Sequence, residues 1–131
     1  MNKTILVTAS FLGITGIILG AFAAHGLKQL ISPESIQTFE TGVKYQMYHA
    51  ILLLIVGTSQ MVQERFKRII YWLTLVGILF FSGSIYGLAT NAISSFDFKT
   101  IGIMTPIGGL LLIAAWGALL INFLRLQTDK L

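Results

Sequence analysis

Four long apolar runs constrain this chain more than any other feature. The first, Ile5–Ala24, reads "ILVTASFLGITGIILGAFAA" and carries no charge. The others cover about 45–62, 69–90 and 101–124. A helix needs roughly 20 apolar residues to cross about 30 Å of hydrocarbon. Backbone polar groups in lipid must be satisfied internally, and the runs lack the period-two alternation of barrel strands. The sequence therefore predicts an all-α fold, a single integral membrane domain over 1–131 built as a four-transmembrane-helix bundle.

Composition agrees. Hydrophobic residues make up 55% of the chain and charged residues 11%, against about 25% charged in an ordinary soluble domain. With no cysteine, disulfides, thiolate metal sites and cysteine nucleophiles are excluded. The net charge of +4 is spread between apolar runs rather than gathered in a stripe, so no nucleic-acid partner is expected. Small drug-efflux exporters of similar size place an acidic residue in their first span. Here that span has none, which removes their proton-coupling mechanism.

Lysine and arginine set the expected orientation. With four crossings, Lys3, Arg65, Lys67, Arg68, Arg125 and Lys130 share one side, and Lys28, Lys44 and Lys99 the other. This predicts both termini in the cytoplasm, with "QERFKR" (63–68) as an inner turn. The segment "GAFAAHGLKQL" (20–30) then faces outward. Its Ala21-Phe22-Ala23 resembles a cleavage site, but the run before it exceeds the 7–15 residues of a signal-peptide core, so an uncleaved helix end is expected.

Gly26 suits a left-handed helix C-cap, with Leu27 making the accompanying apolar contact. Ser32, Pro33 and Glu34 read as N-cap, first position and first turn of a new helix. Ile36, Phe39 and Val43 share one face of it, which predicts a short amphipathic helix at the outer interface over about 33–44, able to run directly into the second span. The second outer loop, "TNAISSFDFKT", is polar with two phenylalanines that would touch the interface. Thr105-Pro106 either starts the fourth helix as cap and first residue or lies within its first turns.

Small residues in membrane helices allow close approach. Gly13, Gly16, Gly20 and Ala24 in the first span, and Gly83 and Gly87 in the third, are expected to form packing seams, within one chain or between copies. His25 lies almost opposite the first stripe on the helical wheel. Thr41, Tyr45, Tyr48 and His49 cluster on one face of the second span. Because spans one and two are antiparallel, the two histidines are expected at comparable depth. Polar groups inside a span mark a candidate site. The candidate ligand-binding set is His25, Lys28, Thr41, Tyr45, Tyr48, His49, Tyr86 and Thr105. Two histidines make a poor metal or haem site by ligand count, so no metal or cofactor is expected. Ser82 and Ser84 have no evident base, and no paired carboxylates lie in a span, so no catalytic residue is expected. Lys28, Lys44 and His25 around the turn at 105–109 would suit a lipid headgroup.

"GAFAAHGLK", "FETGVKYQMYHAILLL", "SGSIYGLA" and "TPIGGLLLIAAWG" resemble a bacterial inner-membrane family of unknown function that includes animal transmembrane protein 256. The resemblance covers nearly the whole chain. It implies a multi-pass plasma-membrane protein of four helices, and brings no activity, ligand or catalytic residue with it. The functional expectation is a non-enzymatic protein that binds a lipid or small amphiphile in a polar outer pocket or assembles with partners, with homo-oligomers through the glycine seams. An oligomeric transporter or channel is the alternative, and a haem-type redox protein the least favoured.

Overall fold

A computed structural model describes residues 1–93 and 102–126. Among these there are four long helices and no strand: α1 (Asn2–Ala24), α2 (Pro33–Thr58), α3 (Glu64–Ala89) and α4 (Met104–Leu124). The main packing follows chain order, α1 on α2, α2 on α3 and α3 on α4. The pair α2–α3 therefore forms the middle, with α1 and α4 on its flanks.

α1 is apolar on every side. Its buried line is Ile5, Ala9, Leu12, Gly16 and Ala23, while Phe11 is 63% and Ile17 67% exposed on other faces. α4 repeats the pattern, with Ile113 68% exposed. Such surfaces are stable against hydrocarbon and not against water. α1 with the turn after it, α3 and α4 are each long and apolar enough to cross a membrane. α2 has the length, but Lys44, Tyr45, Gln46, Tyr48 and His49 dilute its apolar character.

The end of α1 differs from expectation. Gly26 is not left-handed but right-handed, at φ −64° and ψ −47°. The chain leaves α1 through His25 and continues as a 3-10 turn, Leu27–Gln29, with Leu27 buried. The His25 N–H bonds the Phe22 carbonyl, and the Gln29 and Leu30 N–H groups bond the Gly26 and Leu27 carbonyls, so the chain turns by i to i+3 bonds without a left-handed residue. The restart at Ser32 is as the sequence indicates. Its hydroxyl accepts a hydrogen bond from the Ser35 N–H at 3.1 Å, and Pro33 opens the helix.

A separate interfacial helix over 33–44 is not present. Residues 33–58 form one helix, because its buried line runs unbroken through Phe39, Gly42, Gln46, His49, Leu53 and Val56. Ile36, Phe39 and Val43 pack with Ala23, Leu27, Ala89 and Tyr86 in an apolar cluster. "QERFKR" is likewise not a turn but the cap and first turns of α3. Thr105 does not cap α4. The helix starts at Met104, placing Pro106 in the first turn, where its missing N–H costs nothing. The phenylalanine pair of the second outer loop, Lys99 and Lys130 lie outside the described residues.

Of the expected glycines Gly16 makes a close helix contact, and the other close contacts fall on glycines outside that set. A Cβ on Gly108 would lie 2.8 Å from the Gly77 carbonyl oxygen and would strike the Phe81 backbone. Gly42 faces the Tyr86 ring, Gly57 faces Leu6, and Gly16 faces Met47, each with no room for a Cβ. Gly20 has ordinary contact with Val43, and Gly87 is buried in α3. Gly13 and Gly83 have nothing within 4 Å of an added Cβ. Ala24 is exposed and Ala23 buried in its place. The physical reason is angular: Gly13 and Ala24 lie at the edge of the face centred on Leu12, Gly16 and Ala23, and the period of 3.6 carries them out of contact.

Candidate functional site

α2 presents polar side chains to both flanks, and this separates the expected site into two clusters. On the side of α4, His49 is 4% exposed. The Trp116 indole N–H donates to its Nε2 at 3.1 Å. An acceptor at Nε2 leaves the proton on Nδ1, which donates to the Tyr45 carbonyl at 2.7 Å. Both ring nitrogens are engaged, and the ring is held as the neutral Nδ1–H tautomer.

Tyr45 meets the edge of Phe81 with ring centroids 4.9 Å apart and that of Tyr48 at 5.7 Å. Tyr45, His49, Phe81, Gly109, Ile113 and Trp116 are the main walls of a cavity of about 290 Å³. It lies between α2, α3 and α4 and is wide enough for part of a hydrocarbon chain or a ring. Gly109 shapes it: the missing side chain leaves space beside Phe81.

On the side of α1, Gln46 is 4% exposed and fully bonded. Its amide nitrogen donates to the Leu12 carbonyl at 2.9 Å and to Thr15 Oγ1 at 2.8 Å. Its carbonyl oxygen accepts from the Tyr86 hydroxyl at 2.6 Å. Beside it, Ser82 donates to the Gly42 carbonyl at 2.8 Å. α1, α2 and α3 are tied together here by polar groups away from water, where each has few other partners. These side chains and Gly83 border a second groove.

The remaining expected residues stand apart from both clusters. Thr41 donates to the Gln37 carbonyl of its own helix. Thr105 shares a hydrogen bond with Ser84. His25 and Lys28 are exposed in the connection after α1. The two histidines are not at comparable depth. Gly16 packs on Met47 and Gly20 on Val43, so His25 stands level with position 38, roughly 16 Å along the axis from His49 at 1.5 Å rise per residue. Neither one iron nor one zinc can span that. Helix ends are not a common depth marker in this fold, because α2 begins at Pro33, well before its apolar part.

Gln46, Trp116 and Asn122 were not among the expected residues. Gln46 is an amide in an apolar run and Trp116 an indole near mid-helix, away from the interfaces where tryptophan gathers. Asn122 is 1% exposed and bonds the loop before α3. Its carbonyl oxygen accepts from the Gln63 N–H at 3.0 Å and its amide donates to the Met61 carbonyl at 3.0 Å.

Residues 19–109 match a family described as protein of unknown function (DUF423). That range contains Tyr45, His49, Phe81, Tyr86 and Gly109, and stops before Trp116. The chain is 38% identical to a UPF0382 membrane protein of Haemophilus influenzae, over 88% of this chain and 90% of the relative. A UPF0382 membrane protein of Staphylococcus haemolyticus is 37% identical, over 92% and 94%. The UPF0382 inner membrane protein YgdD of Escherichia coli is 31% identical, over 96% and 93%. No solved structure matches. With this agreement over most of its length, the chain belongs to the DUF423 family, membrane proteins of unknown function.

Proposed function

We propose that this protein is a non-enzymatic, multi-pass plasma-membrane protein that holds the apolar part of a lipid or small amphiphile in the groove between α2, α3 and α4. It forms one domain with four crossings, α2 being the fourth, and both termini are cytoplasmic. The observation that carries this reading is the aromatic cavity of about 290 Å³ walled by Tyr45, Phe81 and Trp116. Such sites are mostly apolar with few polar groups. His49 and Trp116 satisfy one another, which leaves the Tyr45 hydroxyl, with no hydrogen-bond partner among the described residues, to orient a ligand. The orientation rests on the six-to-three division of lysine and arginine.

Native mass spectrometry of the protein in mild detergent tests this directly. Gly109→Leu fills the groove, and its Cβ makes only ordinary contact with Phe81, at 3.6 Å. Wild type is expected to carry an amphiphile that Gly109→Leu loses and Tyr45→Phe retains weakly. Equal bound content in wild type and Gly109→Leu ends the proposal.

A second reading, self-assembly, is favoured by Gly83. It is exposed on α3 in the groove beside Thr15, Ser82 and Tyr86, with open space above it. A helix of another copy can approach closely there. A monomer in both wild type and Gly83→Leu by light scattering excludes it. The polar groups around Gln46 bond one another rather than line a path, which supports binding or assembly over conduction.

A further inference from the structure

The start of α3 carries a basic groove that the reading above does not use. Arg65, Arg68, Ile69, Trp72 and Leu73 line a shallow cavity of about 480 Å³ on its outer side. Their spacing, i, i+3, i+4, i+7 and i+8, places them on one helix face. The two guanidiniums stand at the end near the α2–α3 loop, and the apolar side chains continue from them towards the membrane interior. Trp72 lies four residues beyond Arg68, roughly 6 Å deeper at 1.5 Å per residue.

Three observations give this groove a definite occupant. The first is charge. Neither arginine forms an ion pair among the described residues, and Glu64 is the one acidic side chain between positions 59 and 93. The second is order. The Arg65 guanidinium lies 5.0 Å from the centroid of the buried Phe66 ring, a cation–π contact that restrains a long side chain before any ligand arrives. The third is the change of chemistry along the groove. Cationic forks give way to an indole N–H with no acceptor among the described residues, then to Ile69 and Leu73. Trp72 is 56% exposed.

A phosphodiester, an ester carbonyl and an acyl chain follow one another in the same order and over the same distance in a phospholipid. Guanidinium groups bind phosphate oxygens bidentately, and indole N–H groups favour the headgroup boundary. We infer that this face of α3 binds an anionic phospholipid. Arg65 and Arg68 hold its phosphate, Trp72 donates to its ester region, and Ile69 and Leu73 cover its first methylenes. The site lies at the opposite end of the fold from the connection carrying His25 and does not depend on the α2–α3–α4 groove. A zwitterionic lipid offers the same phosphate but brings a positive charge against the arginines, so it binds less well.

The surface of α1 provides the control. Lys3 stands at the end of a larger open cavity with Leu6, Val7, Phe11 and Ile14, one cation without a second or an indole. Wild type and variants are purified in detergent micelles doped with equal amounts of phosphatidylglycerol and phosphatidylcholine, and retained lipid is counted by native mass spectrometry. Wild type is expected to prefer phosphatidylglycerol roughly thirtyfold, from two arginines near an anionic group. Arg65→Gln with Arg68→Gln is expected to abolish the preference, and Lys3→Gln to leave it unchanged. Arg65→Lys with Arg68→Lys keeps the charge and loses the planar fork, so it is expected to keep only part of the preference. Helical circular dichroism identifies any variant that fails to fold. Equal retention of both lipids by wild type overturns the proposal. So does a loss on Lys3→Gln as large as on the double glutamine variant, or full retention by the lysine pair, since each means a diffuse field rather than a site.

Discussion

Trp116 and His49, 67 positions apart, are joined by one hydrogen bond of 3.1 Å that fixes which nitrogen of the imidazole carries its proton. The indole can only donate, so Nε2 must accept. Nδ1 then donates to the Tyr45 carbonyl, one helical turn back. Nitrogen NMR of histidine-labelled protein is expected to show a protonated Nδ1 and an unprotonated Nε2. Trp116→Phe removes the donor and leaves a buried acceptor unpaired, a loss of about 1 kcal/mol or more. A nitrogen spectrum with the proton on Nε2 contradicts the arrangement.

Gln46 predicts a coupling. Its carbonyl oxygen accepts from Tyr86 and its amide reaches Thr15 and the Leu12 carbonyl. Gln46→Leu leaves the Tyr86 hydroxyl without its acceptor, and Tyr86→Phe leaves the amide oxygen without its donor. The double variant removes both partners together. Unfolding in mixed micelles is expected to show a coupling of about 0.6–1.7 kcal/mol, the range of hydrogen bonds between membrane helices. Additive single effects mean the pair contributes nothing.

These two clusters also mark how far the sequence is legible. Helices follow from apolar runs that lack period-two alternation, because a backbone in hydrocarbon is satisfied only in a helix or a closed barrel. The Ser32–Pro33 start is legible because a cap is local chemistry. The face of α2 bearing Tyr45, Tyr48 and His49 is legible from spacing on one helix. Which flank each polar group meets is not, because that depends on how three helices are rotated against each other. Gln46 and His49 are three residues apart, yet one bonds α1 and the other α4. The relative depth of His25 and His49 is hidden for a similar reason. It depends on register between α1 and α2, fixed by Gly16 on Met47 and Gly57 on Leu6.

The glycines give a set of paired outcomes. Gly108→Ala puts a methyl group into the Phe81 backbone and must push α4 away from α3. A loss of about 1–3 kcal/mol is expected, as for overpacking in a closed core. Gly117, on the same helix, has nothing within 4 Å of an added Cβ. Gly117→Ala is expected to leave the denaturation midpoint unchanged or slightly raised. Equal midpoints for the two variants contradict the close α3–α4 approach at Gly108.

Asn122 carries the last prediction. The loop between α2 and α3 exposes backbone groups at the end of α4, and the Asn122 amide bonds two of them, the Gln63 N–H and the Met61 carbonyl. Gln63 is the residue from which α3 starts, so the bond fixes where that helix begins relative to α4. Asn122→Leu has a similar volume but no polar atom, and leaves the Gln63 N–H and the Met61 carbonyl without this partner at a half-buried place. Met61 and Gln63 are exposed residues, so the cost is about 1 kcal/mol, the net worth of an ordinary hydrogen bond. Asn122→Asp keeps an acceptor for the Gln63 N–H, and as the neutral acid its O–H replaces the donor to the Met61 carbonyl, so it is expected to lose less than Asn122→Leu. The measurement is hydrogen exchange at Gln63 and the first turn of α3. Exchange there is expected to rise in Asn122→Leu while the Gln46 region stays protected. Unchanged protection at Gln63 would remove Asn122 as the tie between the loop and α4.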